Sequence, residues 1–250
     1  TTDKSTCTAN QDKYMYRVLG VFSDAKGENH VKLIKYKQLG SDAWSLKLRK
    51  DVSWENSDMY KGLNGSSFLT NTAYNYLQEI EWLNKIENWT WSAVNTKTDD
   101  GSYEPGYNNS LTPRQIYLHE MNRSTKTSTI GEWTNPVAKI GLMYASDYTL
   151  SLGSSALAIT ESTSENQATL KTGWMQPSNN DTTKSSYEWT ISRYGYGSGG
   201  FNAWFVTSGG GVFYNFVNEE YGARPVFYLT TDTKVSSGEG SLENPFIISE

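Results

Sequence analysis

The sequence predicts a mixed α+β fold with two helices, short mixed and antiparallel strands, and long loops. Aromatic residues make up 14% of the chain although hydrophobic residues in total make up only 36%, so a core of Trp, Tyr and Phe is expected. Charged residues are only 20%, and Ser, Thr, Asn and Gly are abundant, which favours an all-β or α+β protein over a helical bundle. The predicted order is a hairpin, two helices, loops and a cluster of short strands, and this order is that of an α+β protein.

The N-terminal region predicts a β-hairpin. Side chains alternate over residues 14–22 and again over 30–39, on either side of a polar turn at 24–29. Residues 1–13 are polar, and we expect them to form a flexible arm that contains the only cysteine, Cys7.

Two helices are predicted after the hairpin. The first is short, with Asn56 or Ser57 as its N-cap and Asn64-Gly65 as its end. The second begins near residue 70, because apolar side chains then recur at helical spacing, and it ends before Trp89.

The middle of the chain predicts one buried strand between long loops. Residues 139–145 are nearly all apolar, and Ser146-Asp147-Tyr148 is expected to end the strand. Residues 112–118 fit either a strand or a short helix. Residues 96–110 are a polar loop, and 151–181 lack periodicity, which is unusual for a compact domain unless the segment is functional.

The last third predicts a cluster of short strands. Pairing of the final strand, 246–248, with the first is one arrangement that this order allows. Since neither a repeat nor a linker divides the chain, residues 14–250 are predicted to be one domain. The other predicted strands are Trp189–Arg193, Ala203–Thr207, Val212–Val217 and Ala223–Leu229.

Composition also excludes several classes of partner. The net charge is −5 and no basic run is present, so the chain lacks the electrostatic pattern that nucleic acid or an anionic membrane requires. No apolar run approaches the roughly 20 residues that span a bilayer. The first residues do not resemble a signal peptide, and the sequence begins like a trimmed or mature fragment.

The polar residues do not form a recognisable catalytic or metal motif. The lone Cys7 excludes an internal disulfide and a cysteine-based zinc site, and the separation of His30 from His119 excludes a histidine-rich metal site. Adjacent acids at 99–100 and 219–220 are typical of solvated turns rather than of an acid/base pair. No nucleophile elbow or phosphate-binding loop occurs. We therefore expect no catalytic residue, no metal and no cofactor.

Residues 187–229 predict a binding surface. Tyr, Trp and Phe alternate there with Gly, Ser and Asn, a combination typical of binding loops. Glycine allows the backbone to reverse between displayed side chains. Arg224 is expected to form a buried ion pair. Six apolar residues are expected in the core: Trp189, Val206, Val212, Val217, Val226 and Phe227. Nine residues are candidate ligand contacts: Tyr194, Tyr196, Phe201, Asn202, Trp204, Phe205, Tyr214, Asn215 and Asn218.

Four segments resemble a family of bacterial surface domains. They are Ser53–Ser57 with Leu63–Gly65, Gly141–Tyr148, Gly222–Leu229 and Gly240–Phe246, of which the Arg-Pro-Val sequence within Gly222–Leu229 is the most specific. The family is similar to the C-type lectin fold in its formylglycine-generating-enzyme-like variant. The resemblance implies an exported head of a pilin-like protein, anchored through a preceding N-terminal segment.

The same fold serves the variable proteins of diversity-generating retroelements. Their C-terminal variable region is rich in Tyr, Asn, Ser, Gly and Trp, and residues 187–226 resemble it. The resemblance therefore implies an adhesin-like domain, on the bacterial cell surface, that binds a protein or glycan on another cell, host or phage.

The sequence bears on three alternatives to this function: an enzyme, a calcium-binding lectin and a structural pilus subunit. Enzymes of this fold use a cysteine pair or a histidine iron site, and this chain has neither. Residues 176–181 partly match a calcium-binding lectin sequence but fit a polar turn better. A structural pilus subunit, whose aromatic face packs on a neighbouring subunit, stays open.

Overall fold

The computed structural model describes residues 15–43, 54–64, 82–91, 120, 136–151, 174–175, 187–193, 202–241 and 243–248. Within these ranges the protein is a mixed α+β structure, as the sequence predicts, with two α-helices and twelve strands. Several predicted segments lie outside the described residues: the arm at 1–13, the regions 96–110 and 112–118, most of 151–181, and the start of the second predicted helix. The last turn of that predicted helix is described, and there Trp82–Lys85 forms a 3-10 helix.

The described elements are short. The helices are α1 (Asp58–Asn64) and α2 (Ala145–Ser151), and a further 3-10 helix spans Trp54–Asn56. The strands are β1 (Tyr16–Ser23), β2 (Asn29–Lys35), β3 (Gly40–Ala43), β4 (Trp89–Thr90), β5 (Val137–Ala138), β6 (Glu188–Arg193), β7 (Asn202–Val206), β8 (Val212–Phe216), β9 (Glu220–Ala223), β10 (Val226–Tyr228), β11 (Val235–Ser237) and β12 (Ile247–Ile248).

The predicted hairpin is confirmed as β1 and β2, which pair in antiparallel fashion with a register shift between Val18 and Gly20. Strand β10 adds to the other side of β2, so β2 is the centre of a three-stranded sheet. Both faces of β2 are covered, which explains why the polar Lys32 and Lys35 are as buried as Ile34.

The C-terminal cluster of strands forms a five-stranded sheet in the order β3-β9-β6-β7-β8. The pair β6–β9 is parallel, and the other pairs are antiparallel. A tight turn joins β7 to β8, with Gly210 at a φ of 81°, a value that glycine tolerates best. Strand β8 therefore lies at one edge of the described sheet.

The predicted α1 and its cap are confirmed. The Ser57 hydroxyl accepts a hydrogen bond from the Tyr60 N–H at 3.0 Å and donates one to the Trp54 carbonyl at 2.6 Å. A serine in this position satisfies an N–H group that the first turn of a helix leaves unpaired.

The predicted strand at 139–145 is wrong. Only Val137–Ala138 is a strand, and Gly141 forms an isolated bridge with Val226 through two 2.9 Å hydrogen bonds. The segment predicted to end the strand belongs instead to α2, because the Asp147 carboxylate accepts a hydrogen bond from the Tyr144 N–H at 2.8 Å and so caps the new helix. The apolar run is buried, but it is not extended throughout.

Two interpretations of the last strands are also corrected by the structure. Residues 223–229 divide between β9 and β10, which belong to different sheets, because Pro225 has no N–H to continue a ladder. Strand β12 pairs with β11 rather than with β1. Gly238 and Gly240, at φ values of 96° and 83°, reverse the chain between these two strands.

An aromatic core is confirmed. The largest fully buried side chains include Trp54, Trp91, Trp189, Tyr144, Tyr148 and Phe227. The six residues predicted for the core, Trp189, Val206, Val212, Val217, Val226 and Phe227, are all buried.

Candidate functional site

Strand β8 exposes aromatic rings at the edge of the five-stranded sheet. Phe213, Tyr214 and Phe216 are 40%, 37% and 50% exposed, and we call these three residues the aromatic edge. Side chains alternate along an ideal strand, but the Phe213 and Tyr214 rings stack with their centroids 5.6 Å apart and their planes 10° apart, so these two rings lie side by side. Among the described strands, β8 pairs only with β7.

Two rings of β7 support the aromatic edge from inside the sheet. The Trp204 ring meets the Tyr214 ring edge-on at a centroid distance of 5.8 Å, and Phe205 pairs in register with Phe213. Trp204 and Phe205 are only 3% and 6% exposed. Their predicted place among the outward ligand contacts is therefore corrected: they hold the exposed rings and belong to the core, because β7 is covered on both faces.

The amide of Asn215 is occupied within the protein. Its Nδ2 donates a hydrogen bond to the Tyr221 hydroxyl at 2.6 Å, and its Oδ1 accepts one from the Phe216 N–H at 2.8 Å. Burial raises the pKa of the Tyr221 hydroxyl, and the hydrogen bond from Asn215 opposes that rise. Asn215 therefore fixes the aromatic edge to β9 instead of offering both amide groups to a ligand.

The other predicted contacts are divided between described and undescribed residues. Asn218 is exposed in the turn that follows β8. Asn202 is partly buried at the start of β7, in register with Phe216, and its Oδ1 has no hydrogen-bond partner among the described residues. Tyr194, Tyr196 and Phe201 lie outside the described residues and remain predictions.

The sequence prediction missed Phe213 and Phe216 as exposed residues. One pattern could have indicated them: residues 213–216 read Phe-Tyr-Asn-Phe, without the apolar-polar alternation of a strand with one covered face. Only the topology places β8 at the edge of the described sheet, where these rings are exposed.

A buried ion pair fixes the sheet behind the site. The Arg224 Nε donates to both carboxylate oxygens of Glu188 at 2.8 Å, and its Nη2 donates to the Met175 carbonyl at 2.6 Å. Gln38 donates a further bond to Glu188 at 3.1 Å. Burial raises the pKa of Glu188, and the Arg224 guanidinium opposes that rise. The predicted structural ion pair of Arg224 is thus confirmed.

A second buried carboxylate, Glu120, lies between α2 and β6. It accepts hydrogen bonds from the Ser192 hydroxyl at 2.7 Å and from the Ser146 N–H at 3.2 Å. Burial raises the pKa of Glu120 to about 7. The group is fully buried, so its arrangement is that of an interior hydrogen-bonded acid rather than of a group that meets a ligand.

Comparison of the chain with protein-family models, curated proteins and solved structures finds no match in any of the three. Among the described helices, none has the length and apolar character needed to cross a membrane. The geometry of the aromatic edge is therefore the basis of the functional argument.

Proposed function

We propose that the chain is a non-enzymatic ligand-binding domain, adhesin-like in its role and displayed on a bacterial cell surface. One observation carries the proposal: a rigid edge strand presents three exposed aromatic rings. An aromatic ring buries a large area on binding while few rotatable bonds are fixed, and hot-spot residues of this kind are each worth about 2 kcal/mol or more.

A protein ligand fits the aromatic edge better than a glycan does. The three exposed rings lie close together along one strand, so an extended segment of a partner that runs beside β8 can contact all of them with successive side chains. A single sugar ring would stack on one of these rings and would leave the others uncovered. The partner would belong to another cell, a host or a phage.

The proposal also concerns the fold family of the domain and the way in which its binding surface is diversified. A C-type lectin-like fold, on a pilin-like or otherwise anchored protein, would place residues 187–226 in a variable region of the kind that retroelements diversify. The presence of β6, β7, β8 and β9 within that span supports this idea, because a sheet can accept new side chains at its edge while its backbone stays fixed.

Substitution of the exposed rings tests the proposal. We expect a fluorescently labelled domain to bind intact host, bacterial or phage-coated surfaces, and the double substitution Phe213→Ser with Phe216→Ser to weaken binding at least about tenfold. Phe246→Ser is the matched control, because Phe246 is 49% exposed and lies outside the aromatic edge. Unchanged melting temperatures would establish that both variants are folded.

The same variants separate the competing functions. Protease treatment of the target surface should abolish binding, whereas loss of binding after glycosidase treatment alone would identify a glycan ligand. Binding that survives the double substitution would overturn the proposal. Concentration-dependent self-association that the double substitution removes would favour the structural pilus subunit instead; Trp204 is unsuitable for this test because it is buried.

A further inference from the structure

A second cluster of polar groups lies at the turn of the β1–β2 hairpin, on the three-stranded sheet. Asp24, Glu28 and His30 each direct one possible ligand atom to the same place, and these atoms lie within 4.8 Å of one another. His30 Nε2 lies 3.9 Å from Asp24 Oδ2.

The hydrogen bond at the other ring nitrogen decides which atom of His30 faces the cluster. His30 Nδ1 lies 3.1 Å from the Leu229 carbonyl oxygen, and because a carbonyl can only accept, Nδ1 carries the hydrogen. In the neutral ring, Nε2 is then an acceptor with a lone pair. His30 is 3% exposed and its Nε2 has no hydrogen-bond partner among the described residues, so this buried lone pair is unsatisfied there.

The Asp24 carboxylate has a fixed orientation. Its Oδ1 accepts hydrogen bonds from the N–H groups of Glu28 and Lys26, both at 2.8 Å, which leaves Oδ2 directed toward His30. The bond from the Glu28 N–H also lowers the pKa of Asp24, so the group stays ionised. With the ring neutral, a carboxylate oxygen and an imidazole lone pair therefore face each other, and no described residue places a donor between them.

We propose that Asp24, Glu28 and His30 bind a divalent first-row transition-metal ion, with Zn²⁺ as the best fit. A cation satisfies the buried lone pair, and the two carboxylates neutralise its charge. The Nδ1–H bond to the Leu229 carbonyl is the arrangement that metal-binding histidines use to fix their tautomer.

The ligand set also favours zinc over calcium or magnesium. Calcium needs six to eight oxygen ligands and magnesium a nearly ideal octahedron, whereas an imidazole with two carboxylates suits zinc in a four-coordinate site completed by water. Ligand distances of about 2.0–2.2 Å require the carboxylates to close on the ion. Glu28 is exposed and lies on the turn, so rotation of its side chain can close the site.

Titration with Zn²⁺ tests the site. In a Cys7→Ser background, which removes the only thiol, we expect calorimetry to show one equivalent of Zn²⁺ bound. Asp24→Asn, Glu28→Gln and His30→Gln should each weaken binding by about tenfold or more.

Asp24→Asn keeps an Oδ1 acceptor for the turn, and Glu28→Gln alters only an exposed group, so both should fold. Glu219→Gln, an exposed acid in another turn, is the control and should bind as the parent does.

Imidazole NMR gives a readout that is independent of affinity. The chain has only two histidines, and Zn²⁺ should shift the ring nitrogen resonances of His30 and leave those of His119 in place. The proposal is overturned if Zn²⁺ does not bind at one equivalent, if affinity is unchanged in Glu28→Gln and His30→Gln, or if Ca²⁺ binds as tightly as Zn²⁺. None of these outcomes depends on ligand binding at the aromatic edge.

Discussion

One buried side chain, Glu120, makes the stability of the fold depend on pH. It is fully buried, and burial raises its pKa to about 7 from an ordinary value of 4.5. Between these two values the folded protein binds a proton that the unfolded chain has already released. The contribution of Glu120 to the free energy of unfolding is therefore fully present below about pH 4.5 and is lost as the pH rises through about 7. The loss is roughly 3 kcal/mol.

Glu120→Gln should remove this pH dependence. The amide keeps a similar shape and never ionises, so the variant should gain stability relative to the parent between pH 5 and pH 8. Urea unfolding at several pH values measures the difference, with Glu219→Gln as an exposed control. Parallel stability curves for the parent and Glu120→Gln would contradict the assignment of the raised pKa.

At the scale of single elements, the contact between Gly141 and the Trp91 ring fixes how the 139–145 segment packs. A Cβ at Gly141 would lie 2.5 Å from the Trp91 ring, and that ring is held by a 2.9 Å hydrogen bond from its Nε1 to the Ala138 carbonyl. Gly141→Ala should therefore destabilise the protein by about 1–3 kcal/mol, measured by denaturant unfolding.

A smaller side chain at Trp91 should relieve the clash. The combination of Trp91→Leu with Gly141→Ala is expected to cost less than the sum of the two single changes, because the atoms in conflict belong to the Trp91 ring. Simple additivity of the two costs would show that the ring does not set the spacing at Gly141.

Elements with strong local patterns could be predicted from the sequence, and elements decided by tertiary contacts could not. The hairpin, the Ser57 cap and strands β6, β7 and β8 follow from alternation and capping residues. The apolar run at 139–145 gives no periodicity, so its burial was predictable and its conformation was not. Helix α2 begins there because Asp147 caps it, a role that the sequence did not distinguish from that of a turn residue.

The candidate site was predictable in composition and not in orientation. The aromatic strands at 203–207 and 212–217 were predictable, but Trp204 and Phe205 are buried while Phe213 and Phe216 are exposed. Every second residue of a strand shares a face, so alternation indicates which rings lie together; it does not indicate whether that face is covered or whether the strand is at an edge. The cluster of Asp24, Glu28 and His30 depends on a contact with Leu229, which is distant in sequence.

At the scale of the whole molecule, the two larger sheets are joined through the 141–151 segment. The Gly141–Val226 bridge ties it to β10, and α2 packs against β6 and β7. A buried ion pair adds to this link: Lys32 Nζ, on the three-stranded sheet, lies 2.5 Å from Asp147 Oδ2 on α2. Both side chains are almost fully buried, so neither charge has water as an alternative partner.

Removal of either partner of this ion pair should destabilise the whole molecule. Lys32→Met leaves a buried carboxylate without its cation, and Asp147→Asn leaves a buried ammonium group; we expect a cost of about 3–5 kcal/mol for each. The Lys32 ammonium also lies 4.8 Å from the centre of the Tyr144 ring, so part of the cost of Lys32→Met comes from that contact. The double variant should cost less than the two singles together by a few kcal/mol, because no uncompensated charge then remains. Denaturant unfolding of the four proteins measures this coupling.

As a control, Lys61→Met removes an exposed lysine whose Nζ donates to the Asn56 carbonyl, and its effect should add to that of Asp147→Asn. If Lys32→Met and Asp147→Asn are likewise additive, the ion pair does not join the sheets, and the backbone bridge at Gly141 with the packing of α2 must hold them together.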